Sequence, residues 1–166
     1  MTASFFPKRI QLRKIRYIMK FPTLFDSSGF KYQQSRIAHW DAVAIKRASW
    51  RGLGSWYHGR LEEIYRFHVS PNQHVLEVGC ANGSLLASLK PARGVGVDFS
   101  SEMIRRARQL HPKLEFIQAD AHNLLDLDET FDVIILSDLV NDLWDVQRVF
   151  DLTRTTGDVV FVDPEG

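Results

Sequence analysis

The pattern of apolar and polar positions changes character near the middle of the chain. From residue 74 onward, short apolar runs recur, most of them ending at glycine, serine or aspartate. Val75-Leu76-Glu77-Val78, Gly94-Val-Gly-Val-Asp98 and Phe131-Asp-Val-Ile-Ile-Leu-Ser137 are short and nearly unbroken, the pattern of strands buried on both faces of a parallel sheet. Leu114-Glu-Phe-Ile-Gln118 alternates, which predicts a strand at a sheet edge, and Val159-Val-Phe-Val162 predicts a fifth strand. Between these runs, apolar residues fall at helical spacing: Leu85, Leu86 and Leu89; Met103, Ile104, Ala107 and Leu110; Val146, Val149 and Phe150. Arg105, Arg106 and Arg108 occupy the opposite, solvated face of the second group. Strands alternating with helices predict an α/β protein with a doubly wound, mostly parallel sheet.

Residues 1–70 read differently. A helix is predicted over Ser35–Trp50, with Ile37, Trp40, Ala44 and Ala48 on one face and Ser35 as N-cap. Arg51-Gly-Leu-Gly54 breaks it, and a second helix follows over Ser55–His68 with Tyr57, Leu61, Ile64, Tyr65 and His68 in one stripe. Lys8–Phe21 fits a strand or a frayed helix equally and is read as a loosely ordered leader, with Asp26-Ser-Ser-Gly29 as a turn. Charge sharpens the division. Residues 1–70 hold 13 Lys/Arg against 4 Asp/Glu, a net +9, whereas residues 71–166 hold 8 against 16, a net −8. The boundary is therefore placed at Ser70-Pro71, giving a basic, helical segment over 1–70 and an α/β domain over 71–166. The basic segment can dock on its acidic neighbour; contact with a membrane is the lesser expectation, and nucleic acid is not expected as a partner.

Bulk composition excludes several classes. A chain of 166 residues with 45% hydrophobic and 25% charged residues is an ordinary globular domain. A single cysteine, Cys80, rules out an internal disulfide, and no Cys/His cluster has metal-ligand spacing. No apolar run reaches the length of a membrane-spanning helix, so the expected compartment is the cytoplasm.

The candidate chemistry lies where the first strand turns into the first helix. Gly79 and Gly83 let the backbone approach a ligand closely, and the amides at the helix start suit anionic groups. The dinucleotide fingerprint Gly-x-Gly-x-x-Gly fails, because the register from Gly79 gives Ala81 and Ser84. What remains is Glu77-x-Gly79-x-Ala81-x-Gly83. Ala81 at the middle position is tolerable if its φ is negative. Asp98 ends the second strand 19 positions after Gly79, where a doubly wound sheet places an acid beside a ribose diol. The third strand ends in Asp120-Ala121, and His122 beside it reads as exposed polar surface. Leu124–Glu129 reads as a loop. Sheet order reverses between the first and fourth strands in this fold class, so Asp138-Leu-Val-Asn-Asp-Leu-Trp-Asp145 borders the ligand crevice. Asn141, Asp142 and Trp144 are its candidate substrate contacts, with Asp142 or Asp145 alternatively capping a helix.

Taken together, Glu77 with its glycines, the string Gly-Val-Asp-Phe-Ser-Ser-Glu-Met-Ile, Asp120-Ala121 and the loop after the fourth strand resemble the Rossmann-like, class I S-adenosylmethionine-dependent methyltransferases. The departure from the family's motif is Ala81. The resemblance implies S-adenosyl-L-methionine as cofactor and S-adenosyl-L-homocysteine as product, with Glu77 at the amino acid end, Asp98 on the ribose, Phe99 against adenine and Asp120 on its amino group. Cys80, Met103, Ser137 and Leu139 are expected to line the same site. The helices before the first strand become a lid, where Tyr57 reaches the methionine end and His58, like Asp138 or Asp142, is a candidate general base. His39-Trp40-Asp41, Tyr57-His58 and the Asn141–Asp145 loop are further similar to the methyltransferase part of bacterial proteins that also carry a glycosyltransferase domain, which implies a small-molecule acceptor such as a sugar or lipid-linked glycan precursor. The family's sheet normally has seven strands with a final hairpin. Here only five are expected, which implies a truncated domain whose fifth-strand edge is covered by a second copy or a missing C-terminal region. The alternatives are a non-catalytic cofactor-binding module and a nicotinamide-dependent oxidoreductase; the failed glycine pattern and Glu77 argue against the latter.

Overall fold

The computed structural model describes residues 27–47, 54–126, 129–154 and 158–162. The leader over Lys8–Phe21 and the Arg51–Leu53 break lie outside the described residues. Five strands form one parallel sheet: β1 (His74–Val78), β2 (Arg93–Asp98), β3 (Glu115–Gln118), β4 (Val133–Ser137) and β5 (Asp158–Val162). Their order across the sheet is β3-β2-β1-β4-β5. The order reverses between β1 and β4, as the doubly wound reading requires, and the alternating strand β3 sits at an edge. Leu76 is paired with Val95 on one side and Ile134 on the other, so the three apolar runs lie abreast.

Period-two alternation divides the core into two layers. Val75, Val133, Ile135 and Phe116 face one way with Leu86, Leu89, Ile104 and Ala107. Leu76, Val78, Val97, Ile134 and Leu136 face the other, against Val149, Leu124 and Ala121. Leu86 comes from α3 (Ser84–Ser88), with Leu89 just past its end, Ile104 and Ala107 from α4 (Ser101–Leu110), and Val149 from α5 (Val146–Arg154); Ala121 and Leu124 lie in the segment after β3. Ser100 caps α4 by accepting from the Met103 amide at 3.2 Å, and Asp145 caps α5 by accepting from the Arg148 amide at 3.0 Å. Leu110 departs from its expected inward place and is 58% exposed, being the last residue of α4; Leu114 packs on the core just beyond it. A 3-10 helix over Ala121–Asp126 replaces the loop expected from Leu124.

Two helices precede the sheet. α2 (Gly54–His68) matches its expected span and buries Leu61 and Tyr65 in the first core layer. His68 leaves the stripe for solvent, and Val69 takes its place, 2% exposed. α1 (Ser27–Arg47) begins eight residues earlier than the Ser35 start, running through the turn expected near Gly29. Ser35 is therefore an interior residue, not an N-cap, and its hydroxyl donates back to the Tyr32 carbonyl at 2.7 Å. The extension has a cause outside the helix: Tyr32, Gln33, Arg36, Trp40 and Asp41 all reach the loops at the carboxyl ends of the strands. The lid's contact face thus includes Tyr32 and Gln33, ahead of the expected Ser35 start. Among the described residues, no helix is long and apolar enough to cross a membrane.

Candidate cofactor site

The turn between β1 and α3 is held from both sides. Gly79 and Cys80 both donate to the Val97 carbonyl, at 2.8 and 3.0 Å, and Gly83 donates to the Cys80 carbonyl at 2.8 Å. Gly79 and Gly83 have φ of 78° and 74°, the left-handed region that favours glycine. A Cβ on Gly79 would lie 2.9 Å from Leu139 Cδ1, so the first turn of the crevice is close-packed against the loop after β4.

Ala81 corrects an expectation. Its φ is +45°, not negative, so the chain holds an alanine where the turn asks for glycine. The left-handed conformation costs an alanine about 1–2 kcal/mol, partly offset by the extra freedom glycine gains when unfolded. Ala81→Gly is expected to raise stability by up to about 1 kcal/mol, a rise in Tm of ~2–4 °C for a chain of this size. Chemical denaturation of the two proteins checks it.

Glu77 is buried at 3% exposure, and its Oε2 accepts from the Leu86 amide in the first turn of α3 at 3.1 Å. The structure thus places this acid behind the glycine turn, on the helix start, where the resemblance assigned it to the amino acid end of the cofactor. Burial pushes its carboxyl from the ordinary 4.5 up to about 8; the Leu86 amide opposes the rise and Asp98 adds to it. Because the folded value exceeds the unfolded one, the stability Glu77 contributes is full below about pH 4.5 and is lost as pH rises through about 8. Glu77→Gln is expected to flatten the fall in stability between those limits, read as Tm against pH. Cys80, its neighbour, is a buried thiol raised well above its usual range, chiefly by desolvation, and is chemically quiet.

Asp98 ends β2 at 8% exposure. Its Oδ2 accepts from the Ala81 amide at 2.9 Å and its Oδ1 from the Ser100 amide at 2.8 Å. One carboxylate therefore ties the glycine turn to the start of α4, and it keeps further lone pairs for a diol. Burial raises its pKa, the Ser100 and Ala81 amides oppose that, and Asp41 and Asp142 add to it.

Asp120 follows β3, and both of its oxygens are engaged. Oδ1 accepts from the His122 amide at 2.8 Å and from His122 Nδ1 at 2.7 Å, and Oδ2 accepts from Gln33 Nε2 of α1. Burial pushes its carboxyl up, but the His122 contacts, with Arg148 nearby, outweigh it and hold the group below its usual value. His122 is 6% exposed, so it is buried where an exposed side chain was expected. No signal at a lone loop histidine distinguishes the two states; only the fold brings Asp145 against its far nitrogen.

The loop after β4 carries Asp138, with φ of 53°, then Leu139 and a 3-10 turn over Val140–Asp142. Tyr57 of α2 donates its hydroxyl to Asp138 Oδ1 at 2.6 Å. His58 is exposed and packs edge-on to Tyr57, with ring centroids 5.6 Å apart. Asp142 is paired with Arg36 and accepts from Trp40 Nε1 at 2.7 Å. Asn141 is exposed, and its carbonyl accepts from the Tyr32 hydroxyl at 3.4 Å. Trp144, 49% exposed, lies against Tyr32 at 5.7 Å between centroids. Met103 and Ser137 are buried at the start of α4 and the end of β4. Between α1 and the strand ends lies a pocket lined by Phe99, Asp120, Ala121 and Leu139 on the sheet side and by Gln33, Arg36, Asp142 and Trp144 toward the lid.

A doubly wound sheet, a glycine turn after β1, acids after β2 and β3, and a helical lid define a class, that of the class I S-adenosylmethionine-dependent methyltransferases. Comparison with known proteins agrees. The methyltransferase domain family matches residues 75–157. The chain is 38% identical over 139 residues to a phosphatidylethanolamine N-methyltransferase of Cereibacter sphaeroides, covering 74% of this chain and 68% of that protein. It is 28% identical over 117 residues to a demethylmenaquinone methyltransferase of Symbiobacterium thermophilum, of which it spans 44%. Among solved structures it resembles the N-methyltransferase NodS of Bradyrhizobium japonicum in complex with S-adenosyl-L-homocysteine, with a TM-score of 0.62 at 19% identity over 78% of this chain and 72% of that one. A methyltransferase of Aquifex aeolicus gives 0.53 at 18% identity, covering 61% and 62%. The chain belongs to the methyltransferase domain family.

Proposed function

We propose that the chain binds S-adenosyl-L-methionine in the crevice between α1 and the carboxyl ends of β1, β2, β3 and β4, and transfers its methyl group in line to a small-molecule or lipid acceptor. The observation that carries the reading is the pocket that gathers Phe99, Asp120, Ala121 and Leu139 beside the Asp98-bound glycine turn. An apolar slot with the Asp120 carboxylate at its rim fits an adenine ring and its amino group, and Asp98 fits the ribose hydroxyls. The cofactor, when bound, supplies an electrophilic methyl on a good, neutral leaving group. The protein's work is then to position and desolvate.

At the acceptor end, three candidates for taking up a proton separate by geometry. Asp142 is held by Arg36 and Trp40, and His58 faces solvent. Asp138 is exposed as well, but it directly follows β4 at the strand ends and accepts from the Tyr57 hydroxyl, and that contact makes it our choice. The acceptor class is suggested by relatives named for a phospholipid and a quinone precursor. Incubation with cofactor carrying a labelled methyl group, against phosphatidylethanolamine vesicles, demethylated quinones and lipid-linked sugars, tests the reading. Transfer to one of them is expected. Intact S-adenosyl-L-homocysteine binding with no transfer to any would favour a non-catalytic cofactor-binding module.

A further inference from the structure

His122 is not a residue the methyl-transfer chemistry calls for, yet it is buried and bonded at both ring nitrogens. Its Nε2 accepts from the Asp145 amide at 3.1 Å. An N–H donor on Nε2 requires a lone pair there, so the ring is the tautomer that carries its proton on Nδ1, and that proton points to Asp120 Oδ1 at 2.7 Å. The same residue's carbonyl accepts from Arg148 Nε at 2.9 Å. Asp145 is the N-cap of α5 and directly follows Trp144 in the loop after β4. The imidazole thus bridges the loop after β3, which carries the adenine acid, and the loop after β4, which borders the acceptor.

We propose that His122 is a positioning residue that couples adenine recognition at Asp120 to the placement of the Trp144-Asp145 end of the acceptor loop. The coupling rests on the cofactor reading above. The Nδ1 edge of the ring fixes the carboxylate that receives the adenine amino group. The Nε2 edge fixes the backbone of the loop that receives the acceptor. A cofactor that tightens Asp120 therefore tightens Asp145 through one rigid ring, a coupling between two sites that works in both directions.

Two substitutions separate the ring's halves. His122→Asn keeps a donor near the Nδ1 position and loses the acceptor for Asp145; His122→Gln keeps an acceptor near Nε2 and loses the donor to Asp120. Amide hydrogen exchange at Asp145 and calorimetric titration with S-adenosyl-L-homocysteine are read on both variants and on the parent. In the parent, the ligand is expected to slow exchange of the Asp145 amide about tenfold or more. His122→Asn is expected to bind the ligand within about threefold of the parent while its Asp145 amide exchanges fast with or without ligand. His122→Gln is expected to keep the Asp145 amide protected and to bind about tenfold more weakly. Parent protein that binds the ligand with no change at Asp145, or two variants with the same profile, overturns the coupling. A folded parent that does not bind S-adenosyl-L-homocysteine overturns the cofactor reading instead.

Discussion

Asp98→Ala abolishes measurable binding of S-adenosyl-L-homocysteine, with an expected loss of at least ~100-fold. Charge-assisted hydrogen bonds contribute about 1.5–3 kcal/mol each, and two to a ribose diol account for a loss of that size. The same substitution leaves the Ala81 and Ser100 amides without their acceptor, because both bond to this one carboxylate. Each unpaired buried amide costs about 1–3 kcal/mol, so stability falls as well. Asp98→Asn separates the two roles. It keeps the volume and one acceptor oxygen, so one of the two amide bonds is restored while the NH2 faces the other amide; part of the lost stability should return while ligand affinity stays at least ~10-fold down. Calorimetry and chemical denaturation of both variants read the two effects independently. Affinity unchanged in Asp98→Ala would remove the acid from the site.

The largest expected effect on folding is at Gly83. Its φ of 74° puts any other residue in the left-handed region, and a Cβ there would come within 2.5 Å of Phe116 Cζ. Phe116 is 3% exposed and belongs to the core layer with Leu86, Ile104 and Ala107, so its ring has little room to retreat. Gly83→Ala therefore combines conformational strain of about 1–2 kcal/mol with overpacking of about 1–3 kcal/mol. The expected drop in Tm is on the order of 5–15 °C. Adding Phe116→Leu to Gly83→Ala should recover part of the loss by making room, which strain alone would not allow. A Gly83→Ala protein with parental Tm would mean that the turn is looser than the structure shows.

Most of the sheet was legible because its strands are buried on both faces. Val75-Leu76-Glu77-Val78 and Val133–Ser137 are apolar for a reason that does not depend on their partners, and β3 alternates because it lies at an edge. The acids at 77, 98 and 120 were legible as positions but not as contacts. Nothing local shows that Glu77 turns to the Leu86 amide, or that Asp98 is already holding two amides before any ligand arrives. The start of α1 was misread for a related reason. Tyr32 and Gln33 look like solvent-facing polar residues at a helix entry, and only the folded sheet supplies their partners, Asn141 and Asp120, 109 and 87 positions away. His122 and the backbone of Ala81 are the clearest cases. A histidine's burial and an alanine's positive φ are set by packing between distant loops, which single-residue propensities do not carry.

The cofactor site is tested by one titration: calorimetry of the folded chain with S-adenosyl-L-homocysteine, and with NAD as the competing occupant of a doubly wound sheet. Micromolar binding of the first and none of the second is expected, because the turn after β1 lacks the dinucleotide glycine pattern. Binding of NAD, or of neither ligand by a cooperatively folded sample, would contradict the cofactor assignment.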